Sequence, residues 1–297
     1  MAAHWLVARR RAADLPWAIY DAHNAEHILQ ARAAAVERGR AVRWPAALYA
    51  HTQARKLRCY ERIVRLACDL TLAVSAPDRD ALVALAPEKP VAIVPNGVDA
   101  ASYRPIPLRA ATEVAAGPRL LFFGTLDYRP NVDAARWLVR EIWPAICQSF
   151  PHAELAIVGA RPTAAVRALS RRAGVVVHGD VPDVRPHLAV ADIVVVPLRF
   201  GAGSRLKVLE ALAAGRPVVS TPLGCEGLAV RDGCHVLLAA DAPGFVAALD
   251  RLCRGERLRA ALARAGRQLV EERYDWSRIT PQLLALYAQR SRAAASS

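Results

Sequence analysis

Apolar positions along the chain fall into short β-branched runs separated by longer segments of helical period, and from Arg119 onward the two alternate regularly. Leu120 to Phe123, Leu155 to Val158, Val175 to Val177, Ile193 to Leu198 and a run opening at Val218 read as strands. Asp133 to Ser149, with Trp137, Val139, Ile142 and Ile146 among its apolar positions, reads as a helix. So do Ala164 to Arg172, Val184 to Ala191 and the segment from Ser204, and Ala242 to Tyr274 supplies more. This alternation predicts an α/β fold with a doubly wound parallel sheet. Before Arg119, Trp17 to Tyr20, Leu70 to Val74 and Val91 to Val94 predict three further strands around a long helical region from Ala25 to Cys68. The Pro95-Asn96-Gly97 turn and the proline-containing stretch Tyr103 to Pro118 read as a hinge. The expected division is therefore 1–98, a linker over 99–118, and 119–297.

The stretch Ala191 to Thr221 carries the most chemistry. Ile193 to Leu198 has the uninterrupted apolar character of a strand buried on both faces. Gly201 and Gly203 then turn the backbone, Ser204 is the expected N-cap, the helix runs to about Ala214, and Gly215 stands where a left-handed C-cap belongs. Leu206, Val208, Leu209, Ala211 and Leu212 leave the helix almost no solvated face, yet Lys207 and Glu210 interrupt them. These two side chains either look into a cleft or pair with each other. In the first reading, the free N–H groups and positive dipole end at Gly203 to Arg205 hold a phosphate and Arg205 and Lys207 add two cations. Glu210, one turn deeper, is then placed to accept hydrogen bonds from a ribose diol. In the second reading, Lys207 and Glu210 form an ordinary i,i+3 ion pair worth about 0.2–0.5 kcal/mol. The nucleotide reading is favoured.

A dinucleotide fingerprint is not met, because Leu206 stands where its third glycine belongs and Ser220 and Thr221 where its acidic residue belongs. A P-loop Gly-Lys-Ser/Thr is also absent. Gly124, Gly159, Gly179, Gly201 and Gly203 all fall at the carboxyl ends of the expected strands, where sheets of this kind bind ligands.

A chain of 297 residues, 54% hydrophobic and 23% charged, has the composition of a globular protein with room for about two domains. Lys56, Lys89 and Lys207 are the only lysines, so the net charge of +13 is almost entirely arginine, and a lysine beside a glycine-rich turn stands out. The arginines are spread from Arg9 to Arg292, densest at Arg9 to Arg11, Arg55 to Arg65 and Arg251 to Arg267, without an aromatic-interleaved block. General solvated charge is the first reading and peripheral attraction to an anionic membrane face the second. No nucleic-acid partner is expected. Cys59, Cys68, Cys147, Cys225, Cys234 and Cys253 show no Cys-x-x-Cys spacing and read as thiols of a reducing compartment. Apolar runs fall far short of a membrane span, and residues 1–20 carry Arg9, Arg10, Arg11 and Asp14 without a cleavage pattern, so a cytoplasmic location is expected.

Several segments together resemble the family 4 glycosyltransferases. VPNGVDAASYRP (94–105) is similar to the family's interdomain turn, LLFFGTLDYRPNVDA (120–134) to its first donor-domain loop and AELAIVGARP (153–162) to its second. GDVPDVRPHLAVADIVVVPL (179–198), KVLEALAAGRPVVST (207–221), GCEGL (224–228) and RYDWSRI (273–279) follow in the family's order, and the resemblance covers roughly Asp21 to Tyr287. It implies a GT-B fold of two Rossmann-like domains, with an incomplete acceptor-side domain over 1–98 and a nucleotide-sugar donor domain over 119–297. The implied activity is retaining transfer of a sugar from a nucleoside diphosphate donor to a glycan or lipid-linked acceptor in polysaccharide or glycoconjugate assembly. No metal and no cofactor beyond the donor is implied.

By the same resemblance Glu210 matches the second of the family's paired glutamates and would bind the donor ribose, while Ala202 stands at the position of the first. Gly124 and Thr125 form the first donor loop, but Thr125 and Pro130 occupy positions where the family often carries an arginine and a lysine. Arg205 and Lys207 are expected to replace those cations on the diphosphate. YDAHNAEH (20–27) resembles the acceptor-side segment whose histidine faces the donor sugar, making His23 the catalytic candidate. Read as residues alone, a histidine just after a strand is more often structural.

His23-x-x-Glu26-His27 also spells the inverted zinc-protease pattern, disfavoured because His23 is expected in a loop. Asp78-Arg79-Asp80 matches the metal-chelating motif of another glycosyltransferase fold, but after Ser75-Ala76-Pro77 it reads as a helix cap. Residues 1–98 supply only the second half of an acceptor domain, with Ala2 to Ala13 as the last helix of the missing part. A nucleotide-sugar binding subunit without transfer activity is the alternative, and a fold-sharing sugar epimerase a third reading.

Overall fold

The computed structural model describes residues 17–31, 44–201 and 205–295. The expected helix at Ala2 to Ala13, together with Ala202, Gly203 and Ser204, lies outside the described residues. The chain divides into two units, one running to Asn96 and the other taking up Gly97–Arg199 and the chain from Arg205.

The first unit is a parallel sheet of β1 (Ile19–Ala22), β2 (Leu70–Ala73) and β3 (Val91–Ile93), in that order. β1 begins two residues later than its apolar run. The Ala18 N–H is held by the Asp69 carboxylate at 2.9 Å, so the ladder opens at Ile19 opposite Leu70. The expected helical region is helical over 26–31 and in α1 (Trp44–Ala67), with 32–43 outside the described residues. α2 (Ala76–Val83) starts as expected: the Ser75 hydroxyl accepts from the Asp78 N–H at 3.3 Å, and Pro77 sits in the first turn. Asp78 also accepts the Ala25 N–H at 3.2 Å. The first carboxylate of the Asp78-Arg79-Asp80 run is thus spent on capping.

A small core of Ala22, Ala25, Ala73, Leu82 and Leu85 lies between these elements. Arg65 of α1 is fully buried, with its guanidinium donating to the carbonyl of Leu82, to that of Ala86 at 3.0 Å and to that of Lys89 at 2.9 Å. A guanidinium can satisfy several carbonyls left open where a helix ends, which is the setting in which a buried arginine is stable.

The second unit is a six-stranded parallel sheet in the order β6-β5-β4-β7-β8-β9. Its strands are β4 (Arg119–Phe123), β5 (Glu154–Gly159), β6 (Val175–Gly179), β7 (Ile193–Val196), β8 (Val218–Ser220) and β9 (Leu237–Leu238). The last, not expected from the sequence, pairs over only two residues within the apolar run Val236 to Ala240. Strand order reverses between β4 and β7, which pair at Leu120–Ile193 and Leu121–Val194, and ligands bind beyond the carboxyl ends of strands at such a point.

The segment 99–118, expected as a linker, is built into this unit. It forms a 3-10 turn at Ala100–Ser102 and α3 (Ala111–Ala116). Arg109 ties it to the buried Asp192 at 2.8 Å.

The helix expected from Asp133 starts a turn earlier, because Pro130 suits a first turn where no N–H is needed. It runs as α4 (Arg129–Trp137), a π-helical stretch Leu138–Ile142 and α5 (Trp143–Ser149). Pro144 follows the wide turn; a proline cannot donate to the preceding turn, and one extra residue accommodates its ring. α6 (Ala164–Arg167) lies in the connection from β5 to β6 and α7 (Arg185–Val190) in that from β6 to β7. α8 (Leu206–Ala213) follows β7, and Gly215 beyond it takes φ +65° as expected of its C-cap position. α9 (Ala242–Arg254) and α10 (Glu256–Arg273) follow β9, and α11 (Trp276–Ala295), not anticipated beyond Tyr274, closes the unit.

All four residues of β7 are buried, as the pattern required, and Phe122, Leu120, Val208, Leu209 and Leu212 join them in one core. None of the helices among the described residues is long and apolar enough to cross a membrane.

Candidate functional site

The carboxyl edge of the second unit's sheet is shaped by two glycines. Gly124, just after β4, takes φ +144°, and Gly159, the last residue of β5, takes φ +154°. A methyl group on Gly159 would overlap the Gly124 carbonyl, so the two strand ends approach as only glycine allows. At Gly124 an added Cβ would stand 2.9 Å from Asn131 Nδ2 and 3.0 Å from Lys207 Nζ. The space a side chain would take is thus held by an amide and an ammonium.

Lys207 reaches this point from the first turn of α8. Val208, Leu209, Ala211, Leu212 and Ala213 anchor the helix in the core, which fixes the remaining directions along which Lys207 and Glu210 project. The Lys207 ammonium donates to Asn131 Oδ1 at 2.6 Å and lies 4.9 Å from the centroid of the Phe122 ring. Asn131 Nδ2 in turn donates to the Thr125 carbonyl at 2.8 Å. Lys207 is half-buried. Burial pushes the ammonium down to about 7, with nearby Arg205 adding to the effect and Glu210 opposing it.

Glu210 does not pair with Lys207. Its Oε1 accepts the Tyr103 hydroxyl at 3.0 Å, and burial raises the carboxyl above its ordinary value against the pull of that bond and of Lys207. Burial and the Glu210 charge likewise push the Tyr103 phenol up, so Tyr103 remains a donor. Tyr103 also lines a cavity of 470 Å³ with Arg104, Ile106, Asp183, Arg185 and Pro186. Arg205, 6% exposed, precedes α8 and contacts Glu226 at 3.4 Å.

Gly124, Thr125 and Lys207 of the expected donor set are therefore gathered at one strand end, with Arg205 and Glu210 on or beside the same helix. Gly203 and Ser204 fall outside the described residues, and α8 opens at Leu206 with Arg205 at the cap position. Asn131, Tyr103 and Glu226 were not singled out by the sequence. Asn131 sits among Asp127, Arg129 and Asp133, so its polarity gave no local signal.

In the first unit, His23 sits in the bend after β1 with its side chain 69% exposed, 3.8 Å from the Asp21 carboxylate. Asp21 itself lies within the strand. His27 is buried, and its Nδ1 lies 2.5 Å from Glu61, which also accepts the N–H groups of Glu26 and His27 at 2.9 and 3.1 Å. The two histidines of the zinc-like spacing thus face different surroundings, one solvent and the other a core carboxylate.

The family model described as Glycosyl transferases group 1 matches residues 117–254, a span that contains β4 to β8, Asn131, Lys207 and Glu210. This segment is a group 1 glycosyltransferase domain. Among curated relatives of the domain, the phosphatidyl-myo-inositol mannosyltransferase of Mycobacterium leprae (strain TN) is 32% identical over 206 residues, covering 65% of this chain and 52% of its own. The chain spans about half the length of the curated relatives it matches.

Among solved structures, the sucrose-phosphate synthase of Thermosynechococcus elongatus superposes with a TM-score of 0.73 at 20% identity, over 98% of this chain and 71% of its own. HepE of Anabaena, in complex with UDP and glucose, gives a TM-score of 0.65 at 18% identity, over 91% and 71%. At these identities the likeness gives the fold, which for the group 1 domain and the smaller parallel sheet is GT-B.

Proposed function

We propose that this protein is a retaining, metal-independent glycosyltransferase. It takes a sugar from a nucleoside diphosphate donor and passes it to a glycan or lipid-linked acceptor in polysaccharide or glycoconjugate assembly. The second unit is the donor side and the first the acceptor side, to which His23 belongs. The observation that carries the reading is the Lys207 ammonium held beside Gly124 at the mouth of β4, next to the point where strand order reverses. Among the described residues this cation, set on a neutral amide and an aromatic face, makes no ion pair with a carboxylate, and an anionic ligand supplies the opposite charge.

The reading assigns a donor diphosphate to Lys207 and the Gly124–Thr125 turn, and the ribose to Glu210. The cavity beside Tyr103, of a volume ordinary for small-molecule sites, takes more of the nucleoside. In the transfer step the bond from the anomeric carbon to the diphosphate oxygen breaks and its electron pair stays on the leaving diphosphate. Lys207 stabilises the charge that develops there, and an acceptor hydroxyl oxygen forms the new bond on the same face as its proton passes to the departing diphosphate oxygen. The group 1 domain supports the reaction class. The mannosyltransferase named for phosphatidyl-myo-inositol supports a lipid-linked acceptor, and the UDP complex of HepE supports a nucleotide donor. The arginine-rich surface fits peripheral contact with an anionic membrane face, on the cytoplasmic side.

The test is incubation of the full chain with radiolabelled UDP-, GDP- and ADP-sugars and a lipid extract. Transfer of label into the lipid or glycan fraction is expected from one donor. Saturable donor binding with no transfer would instead make the chain a nucleotide-sugar binding protein.

A further inference from the structure

We propose that Asn131 is a positioning residue for the donor diphosphate: its side-chain amide fixes the Lys207 ammonium against the Gly124–Thr125 turn. The proposal rests on the donor reading of the site and adds to it a residue from a different element. Asn131 is 6% exposed and lies in the first turn of α4, while Lys207 comes from α8, 76 positions later. The amide is used at both ends. Oδ1 accepts from Lys207 Nζ at 2.6 Å, and Nδ2 donates to the Thr125 carbonyl at 2.8 Å. The direction of the second bond settles the orientation of the first, because a carbonyl accepts only from the NH₂ end and the oxygen must then face the ammonium. Asn131 therefore couples the backbone of the turn after β4 to the cation.

The surroundings explain why an amide rather than a carboxylate suits this position. Facing Lys207 are the Phe122 ring from β4 and the Asn131 amide from α4, both neutral, while Arg205 and Glu210 act on it from its own segment. A carboxylate at 131 would neutralise the ammonium and repel a diphosphate. An aliphatic residue would leave the ammonium without an acceptor and free to swing. The amide orients the charge without cancelling it, which is what pre-organisation for an anion requires. The acceptor bond from Asn131 favours the protonated amine, so its removal and its replacement by a carboxylate shift the Lys207 titration in opposite directions.

The experiment uses the full chain, Asn131→Ala and Asn131→Asp, each first shown to melt cooperatively. Lys56, Lys89 and Lys207 are the only lysines, so competitive acetylation read by mass spectrometry follows the Lys207 titration as its own peptide. The Lys207 midpoint is expected to fall in Asn131→Ala, which removes the acceptor, and to rise in Asn131→Asp, which adds an opposite charge. Affinity for the nucleoside diphosphate that the wild-type chain binds is expected to fall about tenfold in both, the scale of one hydrogen bond to a charged group. Opposite midpoint shifts with parallel losses of affinity are not produced by a merely structural asparagine.

Unshifted midpoints in both variants, or unchanged affinity, would overturn the positioning role while leaving the donor site standing. Shifted midpoints in a chain that binds no nucleoside diphosphate at any pH would overturn the donor reading and this role with it.

Discussion

The Tyr103 hydroxyl donates a 3.0 Å hydrogen bond to the Glu210 carboxylate across 107 positions of sequence. The bond ties the segment after the unit boundary to the helix that follows β7, and it pulls the Glu210 carboxyl down against the burial that raises it. Asn131 does the corresponding work for Lys207. Lys207 and Glu210 thus each have a neutral hydrogen-bond partner, and no ion-pair contact joins them although each biases the other's charge.

Tyr103→Phe removes the bond that pulls the Glu210 carboxyl down while leaving the burial that raises it. Nucleotide-sugar affinity is expected to drop about 3- to 10-fold at neutral pH. The loss should deepen as pH falls, because a carboxyl with a higher pKa surrenders its charge earlier on acidification. Calorimetric titrations at several pH values check this, and an identical pH profile in the variant would contradict the assigned role.

Donor affinity is expected to follow a bell-shaped pH dependence. The alkaline limb belongs to Lys207, which in the free protein loses its proton at about 7, and the acid limb to Glu210, whose carboxyl lies above its ordinary value. Replacing Lys207 by Met should remove the alkaline limb together with most of the binding.

The same lysine leaves a mark on stability. Its amine is lowered from 10.5 to about 7 on folding, so between those values the unfolded chain binds more protons than the folded one. Burying this group is therefore most costly below about 7, and the cost is relieved as pH rises towards 10.5. Lys207→Met should melt about 2–4 °C above the wild-type chain near pH 6.5, with the gap closing at alkaline pH. Thermal melts of both proteins across this range decide it, and a constant gap would contradict the linkage.

Gly124→Ala places a Cβ 3.0 Å from Lys207 Nζ at a φ of +144°, where an L side chain is strained whatever the space. A loss of about 1–3 kcal/mol is expected in urea unfolding, together with weakened donor binding as the ammonium is displaced. Wild-type stability and affinity in this variant would contradict the close approach.

Much of this arrangement is legible in the sequence, for reasons that differ by element. β7 is buried on both faces, so its apolar run is continuous, and the glycines after β4 and β5 announce themselves because no other residue tolerates the approach between those strand ends. Lys207 and Glu210 stand out because they break an otherwise apolar helix. Tyr103 and Asn131 do not stand out. Their roles depend on partners 107 and 76 positions away, and neither an aromatic residue in a proline-containing stretch nor an amide in a helix start carries local periodicity. The linker expected over 99–118 failed for a related reason. Proline and small residues mark a break in periodic structure, but Arg109 binds the buried Asp192 at 2.8 Å and draws the segment into the second unit. α11 went unread although Trp276, Ile279, Leu283 and Tyr287 recur at helical spacing within it.

Calorimetric binding of a panel of UDP-, GDP- and ADP-sugars to the full chain, alongside Lys207→Ala and Glu210→Ala, tests the donor site most directly. Saturable binding of one nucleotide class, lost in both variants while each still melts cooperatively, is the predicted result. Binding that survives both substitutions unchanged, or no binding of any donor by a folded wild-type chain, would contradict it.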